Sequence, residues 1–147
     1  MNTRLGDLLF EKGNQVLSVT PEETVLDAVK RMKEKKVGAL LVLANNKPIG
    51  IFTERDVLDR VIACGCNPIE TKVSEVMTKK LAVVSPNTTV QEAMVICTEK
   101  RCRHLPVMKE DELLGIISSG DLTQWATKSQ NHEIQNLVRY ITGQYPG

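Results

Sequence analysis

Two stretches of this sequence set a hydroxyl and a carboxylate three residues apart, each after a glycine and two apolar residues. They are Gly50-Ile51-Phe52-Thr53-Glu54-Arg55-Asp56 and Gly115-Ile116-Ile117-Ser118-Ser119-Gly120-Asp121. The glycine and apolar pair read as a strand end, and Thr53 or Ser118 as the first residue of a turn into a helix. A hydroxyl beside the unpaired amides of a first helical turn suits a phosphate. A carboxylate one turn further suits the paired hydroxyls of a ribose. The same residues also form a structural cap, with Thr or Ser at the N-cap and an acid at the third helical position. Their recurrence at one offset shifts the balance towards a binding site. A further group, Arg101-Cys102-Arg103-His104-Leu105-Pro106-Val107, places cationic and ionisable side chains just before a buried strand. Arginine offers a forked donor to phosphate, although cations also favour a helix C-terminus for its dipole alone. The equivalent Val37-Gly38-Ala39 carries no cation, so two sites of this kind are expected to be chemically unequal.

The elements that must position these groups are duplicated. Residues 16–60 lie over 81–125 at a constant offset of 65 with no gap, and twelve of the 45 pairs are identical, among them Pro21/Pro86, Thr24/Thr89, Gly50/Gly115 and Asp56/Asp121. Each copy reads as a short strand, a Thr-Pro or Ser-Pro turn, and a helix capped by Thr24 or Thr89. The first helix carries Val25, Ala28, Val29 and Met32 at helical spacing, and the second carries Val90, Ala93, Met94 and Cys97. A hairpin over 39–52 or 105–117 and a second helix complete each unit. The expected fold is α/β in the broad sense (α+β, with a mixed sheet): two pseudo-twofold-related βαββα repeats with flanking N- and C-terminal helices. The boundaries are 1–65 for the first repeat with its N-terminal helix, 66–129 for the second, and 130–147 for a C-terminal helix centred on Asn131–Ile141. One repeat of about 50 residues is marginal alone, so the two are expected to pack sheet to sheet and share a core.

Composition narrows the function. Nineteen Lys plus Arg against eighteen Asp plus Glu give a net charge of +1, and only 3% of residues are aromatic. Neither favours nucleic-acid binding. No stretch approaches the roughly 20 apolar residues of a membrane span, and the start has no signal-peptide pattern, so a cytoplasmic location is expected. Cys64 and Cys66 are poorly spaced to chelate one zinc, and all four cysteines, Cys97 and Cys102 included, read as small buried hydrophobes, with a redox role for Cys64 or Cys66 as the alternative. No phosphate-cradling loop, HExxH, Gly-x-Ser-x-Gly or GxGxxG occurs. With His132 in a polar context and no nucleophile beside His104, the sequence points to no enzyme and no metal site.

The duplicated pattern, the Thr-Pro and Ser-Pro starts, the Arg-His-Leu-Pro-Val strand and the Gly-Ile-Phe-Thr-Glu-Arg-Asp helix start resemble a pair of cystathionine-β-synthase (CBS) domains over 16–126. The resemblance implies a module with two clefts that take AMP, ADP, ATP or adenosyl compounds. Carried over by position, Asp56 and Asp121 hold ribose hydroxyls, and Thr53 and Ser118 contact ribose or phosphate. Val37, Gly38 and Ala39, and likewise Cys102, Arg103, His104 and Pro106, line the adenine and phosphate regions. Arg103 is then the phosphate's cationic partner, with Arg55 serving the same end from the other copy. Gly38 departs from the cationic pattern, so adenosine, NAD or no ligand is equally open there. The reading implied is a regulatory adenine-nucleotide sensor, AMP first, working as a homodimer or through a partner protein. The helix faces of Val57, Leu58, Val61, Ile62 and Leu122 are open to two readings, the dimer contact or the core. The alternative is a structural interaction protein with empty clefts, acting through dimerisation by the C-terminal helix or a partner protein.

Overall fold

In the computed structural model the described residues are 3–13 and 16–128. The expected helix over Asn131–Ile141 and His132 lie outside them. The chain runs α1 (Leu5–Lys12), β1 (Ser18–Val19), α2 (Val25–Lys35), β2 (Ala39–Ala44), β3 (Lys47–Thr53), then α3 (Glu54–Asp56), which continues as a π-helical turn over Val57–Ile62. The second half holds α4 (Val73–Val76), α5 (Val90–Lys100), β4 (His104–Lys109), β5 (Glu112–Ser118) and a helix α6 over 119–128.

Local chemistry sets these elements as the duplication requires. Thr24 and Thr89 accept from the amides of Asp27 (3.2 Å) and Glu92 (3.1 Å), each cap contributing about 1 kcal/mol. Both long helices end on a left-handed residue at equivalent positions, Lys36 (φ 57°) and Arg101 (φ 53°). The β2–β3 hairpin turns on Asn45 and Asn46, both at positive φ, the pair of left-handed residues that a two-residue hairpin turn demands. Each hairpin shifts register at the same place, after Val42 and after Val107.

The two repeats differ at their first strand, and one proline accounts for it. In the first, β1 pairs parallel with β2, and the Leu41 amide donates to the Leu17 carbonyl at 3.1 Å. The residue matching Leu41 is Pro106, which has no N–H to give. The short strand expected to open the second repeat is accordingly reduced to a bridge at Val84, held by Val84 N to Pro106 O (3.0 Å) and Met108 N to Val84 O (2.8 Å).

The expectation of one shared core is corrected here. Buried residues form two clusters, one around Leu40, Val42 and Phe52 and the other around Leu105, Val107 and Ile117. Each is completed by the lead-in segment of the opposite repeat. Val73, Val76 and Met77, which precede the second repeat, are buried in the first cluster, while Leu5 and Leu9, which precede the first repeat, are buried in the second. The hydrogen bonds match pair for pair. Val25 N meets Thr71 O (2.9 Å) as Val90 N meets Thr3 O (2.8 Å), and Ser74 N meets Pro21 O (3.1 Å) as Gly6 N meets Pro86 O (3.0 Å). Two marginal units thus become interdependent by exchanging apolar segments, each buried Leu or Val contributing about 1.5–3 kcal/mol.

Candidate functional site

The exchanged segments explain the glycine of the duplicated motif. A Cβ at Gly50 would lie 2.7 Å from Met77 Sδ and 2.9 Å from the Thr78 carbonyl, and one at Gly115 would lie 2.7 Å from Leu9 Cδ2. The glycine is therefore a seat for the opposite lead-in. Beyond it, both motifs close a reciprocal cap. Thr53 N donates to Asp56 Oδ2 (3.0 Å) and Asp56 N to Thr53 Oγ1 (3.2 Å). Ser118 N donates to Asp121 Oδ2 (2.8 Å) and Asp121 N to Ser118 Oγ (3.1 Å). Each strand-start loop is tied to the same spot, through Glu54 N to Gly38 O (3.0 Å) and Ser119 N to Arg103 O (2.7 Å).

From this common frame the two carboxylates diverge. Asp56 is only 4% exposed, the one buried charged residue among those described. Its Oδ1 accepts from Thr78 Oγ1 (2.9 Å) and lies 3.8 Å from Arg60 Nε, and Arg60 also donates to the Met77 carbonyl (2.9 Å). Both oxygens of Asp56 are thus engaged, Oδ2 in the local cap and Oδ1 in fastening the exchanged segment. Asp121 keeps 24% of its side chain exposed and meets the Lys12 ammonium at 2.6 Å, which also donates to the Ile116 carbonyl at 2.9 Å. Burial pushes the Asp121 carboxyl up, but the bonds from Lys12 and Ser118 outweigh it and hold the carboxyl below its ordinary range.

Asp121 borders a recess of about 220 Å³, together with Lys12, Leu8 and Ile117 and with Trp125 and Lys128 of α6. His104, half-buried, feels Lys12, Asp121 and Arg103 together; burial chiefly, then Lys12 and Arg103, lower its pKa and favour neutral imidazole. Asp121, Lys12 and His104 therefore share one neighbourhood, with Ser118 at its edge, and Arg103 stands exposed next to His104 in the chain. Cys102 is half-buried against Cys97, whose thiol burial pushes up to about 11, and Pro106 is buried within β4. In the first repeat, Val37 and Gly38 instead border a separate groove of about 520 Å³ between α2 and α3, with Met32, Glu54, Val57 and Leu58. Ala39 begins β2 half-buried, and Arg55 is exposed.

The sequence reading missed Lys12, Thr78, Arg60 and Trp125. A signal for Lys12 existed. At an offset of 68, Leu5–Lys12 lies over 73–80, keeping class at Leu5/Val73, Asp7/Glu75, Leu8/Val76, Leu9/Met77 and Lys12/Lys80. Arg60 and Trp125 are counterparts at the repeat offset of 65, so this one difference exchanges a guanidinium for an indole beside the aspartate.

The CBS domain family profile matches residues 11–63 and 73–128. The chain belongs to the CBS-domain family. A CBS domain-containing protein of Arabidopsis thaliana, CBSX3, whose name places it in mitochondria, is 38% identical over 153 residues, covering 98% of this chain and 74% of that protein. Among solved structures, a protein with CBS domains from Burkholderia ambifaria MC40-6 is 38% identical with a TM-score of 0.82, over 87% of this chain and 96% of that one. A hexameric CBS-CP12 protein from bloom-forming cyanobacteria is 35% identical with a TM-score of 0.74, over 84% and 71%. CBS domains are regulatory modules that often bind adenosyl ligands, and this chain is a tandem pair of them with the matching α+β fold. Among the described residues no helix is long and apolar enough to cross a membrane.

Proposed function

We propose that this CBS pair is a regulatory module that binds an adenine nucleotide, AMP first, with ADP, ATP and NAD as further candidates, at the recess beside Asp121. The supporting observation is the inequality of the two aspartates. Asp56 has both carboxylate oxygens engaged within the protein, whereas Asp121 is partly exposed beside Lys12 and near His104. A carboxylate suits a ribose diol and the cations suit a phosphate. One ligand per chain is expected. The role needs no catalytic step, since a ligand regulates by binding two arrangements unequally.

The output would pass through self-association. Leu58 and Ile62 stand 64% and 62% exposed on the helix after β3, beside the apolar groove of Val29, Met32 and Val57, and this face is proposed as a homodimer contact. The same exposure favours a second reading, a protein acting through this face alone with unoccupied clefts. Calorimetric titration with AMP, ADP and ATP separates them. Nucleotide binding should weaken at least about tenfold in Asp121→Ala. In Asp56→Ala, a variant first checked for folding, AMP affinity should stay near wild type. The absence of heat at millimolar nucleotide would leave only the interaction reading, which predicts that Leu58→Asp disrupts self-association in sedimentation.

A further inference from the structure

The exchange of lead-in segments brings a residue from the far end of the chain to the second repeat's carboxylate. We infer that Lys12 is a ligand-binding residue of that site, its ammonium delivered by α1 to pair with the nucleotide's 5′-phosphate. The inference rests on the nucleotide reading above and adds to it the residue that distinguishes a nucleotide from its nucleoside.

Geometry carries it first. Lys12 Nζ lies within the recess, 2.6 Å from Asp121 Oδ2 and 2.9 Å from the Ile116 carbonyl. The two side-chain bonds to Asp121, from Lys12 and from the Ser118 amide, both fall on Oδ2. Among the described residues no hydrogen bond falls on Oδ1, so a ribose hydroxyl can approach that oxygen while the lysine keeps the other. An ammonium has three donors, and two are used, which leaves one for a phosphate oxygen.

The charges around the recess can receive an anion. It is lined by Lys12 and Lys128 and by Glu11 and Asp121, and the exposed Arg103 adds a cation beside His104. A phosphate brings negative charge that such cations answer. The recess, about 220 Å³, is small for a whole nucleotide, for which roughly 300 Å³ or more is usual. It is of a size for the ribose and phosphate end.

The chain's single tryptophan, Trp125, lines this recess and reports on it directly. Its fluorescence is followed in the full chain while AMP or adenosine is titrated into wild type, Lys12→Gln and Lys12→Arg. Lys12→Gln should weaken AMP about tenfold while adenosine changes by less than about twofold, and Lys12→Arg should keep most of the AMP affinity. Equal losses for AMP and adenosine would overturn the assignment, leaving Lys12 as a prop for Asp121. Tighter AMP binding in Lys12→Gln would overturn it in the other direction, making Lys12 a plug. If wild type takes neither compound, the nucleotide reading itself fails and this inference with it; if it takes AMP and Lys12→Gln takes it equally well, only the inference fails.

Discussion

The exchange of lead-in segments makes an unequal prediction for two equivalent glycines. In Gly50→Ala the new Cβ meets Met77 Sδ at 2.7 Å, Met77 Cγ at 3.2 Å and the Thr78 carbonyl at 2.9 Å. The thioether can swing aside, but the carbonyl cannot. It accepts from Ile51 N at 2.8 Å while Thr78 N donates back to Ile51 O at 2.9 Å. Relief must therefore loosen that pair or lift the exchanged segment from its cluster. Overpacking costs about 1–3 kcal/mol and a weakened hydrogen bond up to about 1, against about 0.5–1 returned by replacing glycine in extended backbone. Neither glycine has a positive φ, so no backbone strain is added, and the net is about 2 kcal/mol. For a chain of this size that lowers the melting temperature by roughly 4–8 °C. In Gly115→Ala the close contact is Leu9 Cδ2, the end of a flexible side chain, with Cδ1 at 3.4 Å, so the loss stays under about 1 kcal/mol. Urea denaturation of the two variants beside wild type decides it. A Gly115→Ala protein less stable than Gly50→Ala, or a Gly50→Ala protein as stable as wild type, would refute the packing of α4 and its following residues on the first repeat.

Three further outcomes follow from the site. Asp56→Asn should lower stability by about 2–4 kcal/mol in urea, because it weakens a buried carboxylate that serves Thr53, Thr78 and Arg60 at once; a loss within experimental error would mean the knot is not formed. His104 has a folded-state pKa below its ordinary 6.5. Its contribution to stability is therefore complete above that value and declines as pH falls through it towards the lowered one, since the unfolded chain takes the proton more readily. His104→Gln should flatten that part of a stability–pH curve, and an unchanged curve would contradict the burial of the ring. In native protein treated with iodoacetamide, mass spectrometry should find exposed Cys64 modified before Cys97, whose thiol is pushed up to about 11; the reverse order would contradict the packing of Cys97.

Much of each repeat was legible because its signals are local. The threonine caps, the Asn45-Asn46 turn and the helical spacing of Val25, Ala28 and Met32 each act within a few residues and settle where helices and strands begin. Pro106 shows how a single position can cancel a feature that duplication implies, since the strand opposite it depends on an amide that proline lacks. The exchange was not legible in the same way. Leu5, Leu9, Val73 and Val76 are apolar and helical, but nothing near them in sequence says which repeat they cover, a choice made by contacts some 80 residues away for α1. The site was half-legible for the same reason. The motif placed Asp56 and Asp121 one turn into a helix, yet their different fates depend on Thr78 and Lys12, which only the exchanged packing brings beside them, and on Arg60, four residues on from Asp56, where the second repeat has Trp125.

Nucleotide binding at the second repeat's aspartate is read out by amide chemical shifts of the ¹⁵N-labelled chain during an AMP titration. The signals of Arg103, His104, Ser118 and Asp121 and the Trp125 indole N–H should move together and saturate. Saturating shifts confined to residues 37–39 and 53–56, with those five signals still, would contradict it.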